Sequence, residues 1–361
     1  MAKKQKTEES PNDYFIIDCE AHLFPNYTVE ELSYMPDVKA FAYAHVMCKH
    51  WWRTDHTTGE CPEEPDEWTP EALIEDMDAA GIDMACALRE CFMDLSGGAS
   101  PFSTNGYVKK AMDKYPDRII GQSNVGPILK RGVGNAIKEL EILHKELGFK
   151  VTKLYAPEDG PINHPDLWPF YRKCQEMEIP VFIHLGLTVR IGMNKYCLPI
   201  LLDDICTDFP ELKVVAFHHG YPYNEEVDIL AWKHPNLYIG LSGILGWLYH
   251  APVKLQHIIG HTMTIVGPDR FVFGTDWPAT DPVQSVQAIL NLEMPEEMQD
   301  GWGYPPITKE VKAKIFGENL AKMIGIDPKK AKIDFSKKKI VKRDMAARRG
   351  KFREALGLRE S

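Results

Sequence analysis

The chain contains no apolar run near 18 residues, the length a membrane-spanning helix needs, so no membrane partner is expected. Its opening "MAKKQKTEESPND" has lysines with no apolar stretch behind them, unlike a secretory signal. Eight cysteines are scattered through strand-like and helix-like segments without the regular spacing of a disulfide framework. That usage points to a reduced, cytoplasmic protein. No glycine-rich phosphate turn follows any apolar run, which weighs against an open nucleotide-binding sheet. Net positive charge is missing too. At −10 overall, the acidic body argues against a nucleic-acid partner, although the tail from Lys329 onward is basic.

What is present is an alternation. The chain is 44% hydrophobic and 26% charged, enough to bury a substantial core. Eight short β-rich runs recur: "YFIIDC", "DMACALR", "RIIGQSNV", "FKVTKLY", "PVFIHL", "LKVVAFH", "LYIGLS" and "RFVFGTD". Amphipathic segments such as "PEALIEDMDAAG" and "VGNAIKELEILHKELG" lie between most of them. Buried parallel strands read as continuous apolar runs, and each needs a helical crossover to the next. The pattern predicts one α/β domain, a closed (β/α)8 TIM barrel over 14–328, after a polar leader, 1–13. A long insertion after the first strand, 26–68, holds Tyr43, Trp51, Trp52 and Arg53 and is expected to cap the barrel mouth. Its Cys48, His50, His56 and Cys61 match no standard zinc spacing. The basic extension 329–361 is expected to pack on a neighbouring subunit of a homodimer or larger oligomer.

Polar residues gather where such a barrel does its chemistry, at the C-terminal strand ends. In "IIDCEAHLFP", Asp18, Glu20 and His22 are each two residues apart. Strand alternation would put all three on one face. The second run ends in Arg89, the fourth carries Lys153, the fifth gives His184, the sixth His218 and His219, and the eighth Asp276. One strand-end histidine is usually structural; acids and imidazoles at four strand ends together indicate a site. Carboxylates with imidazoles suit a divalent cation, Zn²⁺ or Mn²⁺ first, with Fe²⁺ as a further candidate.

The ordered set "DCEAHLFP", "VTKLY", "FIHLG", "LKVVAFHHGYP" and "FGTDWP", closing with "IFGENLAKMIGI", resembles the amidohydrolase superfamily. Within it the chain is most similar to the amidohydrolase-related branch of aminocarboxymuconate semialdehyde decarboxylase and the benzoate-type decarboxylases. The resemblance spans roughly 14–326, most of the insertion aside. It implies a metal held by Glu20, His22, His184 and Asp276, with Asp276 and His218 catalytic. Classical members carry His-x-His on the first strand, whereas this chain has Glu-x-His, as the phenolic-acid decarboxylases do. His219 has no counterpart and is expected to orient others by hydrogen bonding. Asp18 is expected on the same strand face, deeper, orienting ligands. Lys153 either bridges two metals as a carboxylated lysine or, by preference, contacts ligands or a substrate carboxylate. Arg89, Arg53 or Arg190 could pair with another anionic group.

The leading expectation is therefore non-oxidative decarboxylation of a small aromatic or unsaturated carboxylic acid. The alternatives are a metal-dependent hydrolase or hydratase, a dinuclear Fe/Mn hydroxylase using O2 (with Lys153, His218 and Asp18 as extra ligands), or a metal-retaining companion subunit.

Overall fold

In a computed structural model, described over residues 9–23, 69–89, 103–186 and 193–338, each apolar run becomes a strand. The strands are β1 (Ile17–Leu23), β2 (Met84–Arg89), β3 (Ile119–Asn124), β4 (Val151–Leu154), β5 (Val181–His184), β6 (Val214–Phe217), β7 (Leu237–Gly240) and β8 (Phe271–Val272). All neighbours pair in parallel, in chain order. A parallel bridge between Ala21 and Trp277 closes the ring, with Cys19 N–H donating to Phe273 O at 2.9 Å and His22 N–H to Trp277 O at 2.8 Å. The fold is the expected (β/α)8 barrel.

The crossover helices used below are α1 (Pro70–Ala80), α2 (Asn105–Lys114), α3 (Val133–Lys145), α4 (Trp168–Glu176), α5 (Leu202–Asp208), α6 (Asn224–Lys233), α7 (Ile244–Trp247), α8 (Pro252–Ile265) and α9 (Pro282–Leu290). Helix α1 illustrates how local sequence sets the boundaries. Thr69 caps its start by accepting from Ala72 N–H, Pro70 occupies the first turn, and Gly81 ends it at φ 75°. Each choice satisfies or removes a backbone group that a helix end would otherwise leave unpaired.

The core has two layers. Ile17, Cys86, Ile120, Val151, Phe182, Val215, Phe217 and Val272 fill the barrel interior. Alternate residues such as Ile16, Ala85, Ile183, Ala216 and Ile239 face the helices. Phe182 and Phe217 are fully buried, each contributing about 1.5–3 kcal/mol by leaving water. This plug is why the polar groups above it sit on a floor rather than in a pore.

Strand β1 departs from the expected alternation. Its partners run Asp18 to Ala85 and then Ala21 to Ala87, so Cys19 and Glu20 together oppose Cys86. This bulge resets the faces. Ile17 and Cys19 point into the barrel, Ala21 and Leu23 join the outer layer, and Glu20 and His22 become the inward pair. Asp18 falls on the other face, so the expectation of three aligned polar groups is corrected.

The expected cap over 26–68 lies outside the described residues, as do Arg53, Arg190 and the tail beyond 338. The described part of the tail, up to residue 338, fastens to the body of its own chain. Ile333 N–H donates to Asp83 Oδ1 at 2.7 Å, and Lys332 Nζ lies 3.2 Å from Asp83 Oδ2. Lys338 Nζ reaches Asp78 Oδ1 at 2.8 Å. Asp83 also accepts from Ile16 N–H at 2.8 Å, so this clamp closes the N-terminal face, opposite the polar strand ends.

Candidate metal centre

Glu20, His22 and Asp276 each present a ligand atom within 4.8 Å of the others, the one such group among the described residues. His22 Nε2 lies 3.3 Å from Glu20 Oε1 and 3.2 Å from Asp276 Oδ1. Two carboxylates thus converge on one imidazole. That geometry fits a divalent cation: hard oxygen and borderline nitrogen donors already face one point.

Both carboxylates are held from behind. Glu20 is fully buried; Lys153 Nζ pairs with its Oε1, and Ser242 Oγ donates to its Oε2. Burial by itself would raise the Glu20 pKa, but the Lys153 ammonium, with His218 and His22, holds it well below the usual carboxylate range. Lys153 therefore balances Glu20 charge from within the barrel, 5.3 Å over the Phe217 ring. Asp276 sits at φ 59°, a left-handed conformation costly for a non-glycine residue. Its neighbours fix that turn. Asp18 accepts from Thr275 N–H at 2.9 Å and from the Thr275 hydroxyl, while Thr280 Oγ1 donates to Thr275 O. Trp277 is anchored by Asp76 at 2.8 Å.

Asp18 acts through the backbone. It also accepts from Glu20 N–H at 3.0 Å, tying the β1 bulge to the Asp276 turn. Burial pushes its carboxyl up to about 7, against the pull of those hydrogen bonds. Turned to the outer face and bonded to Thr275, it is not placed as one of the extra ligands the dinuclear alternative could draw on.

His184 is expected among the ligands but lies outside the group of three. Its Nδ1 is 2.9 Å from His218 Nε2, and its ring meets Tyr155 edge-on at 4.7 Å. His218 Nδ1 lies 3.0 Å from the Ser242 carbonyl. A carbonyl can only accept, so that nitrogen carries the hydrogen, His218 Nε2 accepts, and His184 Nδ1 donates. This bond engages His184 Nδ1, so the site holds His184 through its contact with His218.

Two expected participants are employed elsewhere. Arg89 donates to Asn124 O at 2.8 Å and Gly126 O at 2.7 Å, bracing the end of β3. His219 turns away from the centre, bonds Asp228 Oδ1 at 2.8 Å, and lies between α6 and α8. Ser242 was missed. It ends the "LYIGLS" run, so the strand-end argument applied to β7 finds it.

A family model described as Amidohydrolase matches residues 17–326. The chain belongs to that family. Among curated relatives, the 2-amino-3-carboxymuconate-6-semialdehyde decarboxylase of Dictyostelium discoideum is 24% identical over 257 residues, covering 63% of this chain and 66% of the relative. The gamma-resorcylate decarboxylase of a Polaromonas species is 23% identical over 248 residues, covering 55% and 72% respectively. Among solved structures, the 5-carboxyvanillate decarboxylase of Novosphingobium aromaticivorans, complexed with manganese and 4-hydroxy-3-methoxy-5-nitrobenzoic acid, superposes with a TM-score of 0.62. It is 18% identical, and the match covers 90% of this chain and all of that one. The expected (β/α)8 barrel agrees with these findings.

Proposed function

We propose that this protein is a metal-dependent, non-oxidative decarboxylase of a small aromatic or unsaturated carboxylic acid. The observation that carries the reading is the trio Glu20, His22 and Asp276, with Glu rather than His at the first position and Lys153 balancing its charge. Relatives named as decarboxylases support it. Glu20, His22 and Asp276 would hold the cation, with His184 beside them on β5 as the fourth ligand of the proposal. When bound, a divalent ion supplies positive charge that neutralises and polarises substrate oxygens.

The remaining work falls to side chains. Asp276 delivers a proton to the carbon bearing the carboxylate. The carbon–carboxylate bond then breaks, its electron pair returns to the conjugated system, and CO2 leaves. The product carries hydrogen where the carboxylate was, and solvent reprotonates Asp276. His218, its ring fixed by Ser242 at Nδ1 and by His184 at Nε2, would orient the substrate beside Asp276. One Zn²⁺ or Mn²⁺ per chain, a cytoplasmic setting and a homo-oligomer belong to the same proposal.

Elemental analysis and CO2 release from a panel of hydroxylated benzoates test the reading together. Stoichiometric Mn or Zn with CO2 and the ring product supports it. A metal-replete protein that releases no CO2 from any acid, but hydrates or hydrolyses them, replaces it with the hydrolase alternative.

A further inference from the structure

The β7–α7 segment brings an indole to the centre. Gly243, at φ 75°, lies so close to the site that a Cβ there would be 3.1 Å from His218 Nδ1, 3.2 Å from Trp247 Cζ2 and 3.3 Å from Asp276 Oδ2. A side chain would displace one of these groups, so glycine is what lets the backbone approach. One helical turn later, Trp247 N–H donates to Gly243 O at 3.0 Å, which stacks Trp247 above Gly243. The indole lies nearly parallel to the His218 ring, 28° between planes and 5.8 Å between centroids. Its segment is firmly seated: Ile244 and Leu245 are buried, and a Cβ on Gly246 would meet Thr280 at 2.4 Å. Yet Trp247 itself is 44% exposed. Covering His218 alone would need only an aliphatic side chain. A large, rigidly held, half-exposed indole beside the reacting groups leaves π-surface for something else.

We propose that Trp247 is a specificity-determining residue, a stacking wall that selects planar, conjugated acids over saturated ones of the same charge and size. The inference rests on the decarboxylase reading and assigns to Trp247 the discrimination of planar acids from saturated ones within that reading. Aromatic contacts of this kind carry a modest, geometry-dependent preference over equal apolar area.

The test uses metal-replete protein and two probes, benzoate and cyclohexanecarboxylate, which share a carboxylate and differ in planarity. Calorimetric titration of the wild type should give a Kd for benzoate about three- to tenfold lower than for cyclohexanecarboxylate. Trp247→Leu should erase that ratio, and Trp247→Phe should keep most of it, with metal content unchanged in both. If Trp247→Leu does not fold, Trp247→Met makes the same comparison. A ratio that survives the loss of the indole, or a wild type that binds benzoate no better than cyclohexanecarboxylate or not at all, overturns the proposal. CO2 release with an indole-independent ratio would sink the stacking wall alone. An indole-dependent ratio with no CO2 from any ring acid would sink the decarboxylase reading alone.

Discussion

His218 and His219 are adjacent, both buried and both left-handed, at φ 57° and 50°. His218 turns inward to His184, Ser242 and Trp247. His219 turns outward to Asp228, whose second oxygen accepts from Thr262 at 3.1 Å and lies 2.8 Å from His261 Nδ1. In the outward cluster a single carboxylate is shared by two imidazoles and a hydroxyl. Burial would raise the Asp228 pKa, but His219, with His261 and Thr262, holds it below the usual value. In the inward cluster two carboxylates face one imidazole, and Lys153 offsets only one of the two negative charges. Burial and strain are common to both. Unbalanced charge is what distinguishes chemistry from architecture here.

The sharpest way to break this distinction is Asp276→Asn. As a positioned acid–base group it should cost at least about 10²–10⁴-fold in kcat and kcat/KM while leaving the melting temperature near wild type. Near-normal CO2 release with metal in place would show that the inward cluster does no chemistry through Asp276.

Lys153→Met probes the charge balance itself. Removing the ammonium leaves Glu20 buried without its lysine counter-charge, which should destabilise metal-free protein by about 3–5 kcal/mol. Added Mn²⁺ should recover part of that loss, because a cation on Glu20 replaces the lost charge. Denaturant unfolding with and without metal reads both; an equal loss in the two conditions would place the cation away from Glu20.

A third histidine, outside both clusters, calibrates the effect of burial alone. His144 on α3 packs against Ser123, 3.0 Å from its hydroxyl, and burial pushes its pKa down from 6.5 to about 4. Between those values the unfolded chain binds a proton that the folded chain refuses. Stability should therefore fall as pH drops from about 6.5 to about 4, by up to about 3 kcal/mol. His144→Gln should flatten that part of the stability–pH curve, and an unchanged curve would refute the assignment.

Asp228→Asn is the mirror of Asp276→Asn and the smallest expected effect. Losing charge-assisted bonds to His219 and His261 should cost about 1.5–3 kcal/mol in unfolding free energy. Turnover per folded, metal-replete molecule should change far less than in Asp276→Asn. A loss of kcat of that larger size would make the outward cluster part of the catalytic apparatus.

Much of this was legible in sequence. The eight apolar runs are the eight strands, because buried parallel strands must be continuously apolar and each must be followed by a crossover. Strand-end position then picked out Glu20, His22 and Asp276, since a barrel presents those ends at one face. The same rule, neglected at β7, would have found Ser242. Arg89 and His219 satisfied it too but are occupied by backbone carbonyls and Asp228, and no local pattern distinguishes a strand-end residue that turns inward from one that turns out.

The number and order of the strands, the barrel and the pool of carboxylates and imidazoles at the strand ends were determined by the chain's own periodicity, which is a local property. Three matters were decided only by tertiary structure. The β1 bulge reversed Asp18 because its register depends on how β1 is matched to β2 while closing against β8. The pairing of Lys153 with Glu20 joins residues 133 positions apart, and that of Ser242 with Glu20 joins residues 222 apart. The close approach of the Gly243 backbone to His218, Trp247 and Asp276 joins the ends of three strands and depends on the lack of a side chain at that position. Alternation along a strand can be read from neighbours in sequence; contacts that arise when the ring closes cannot.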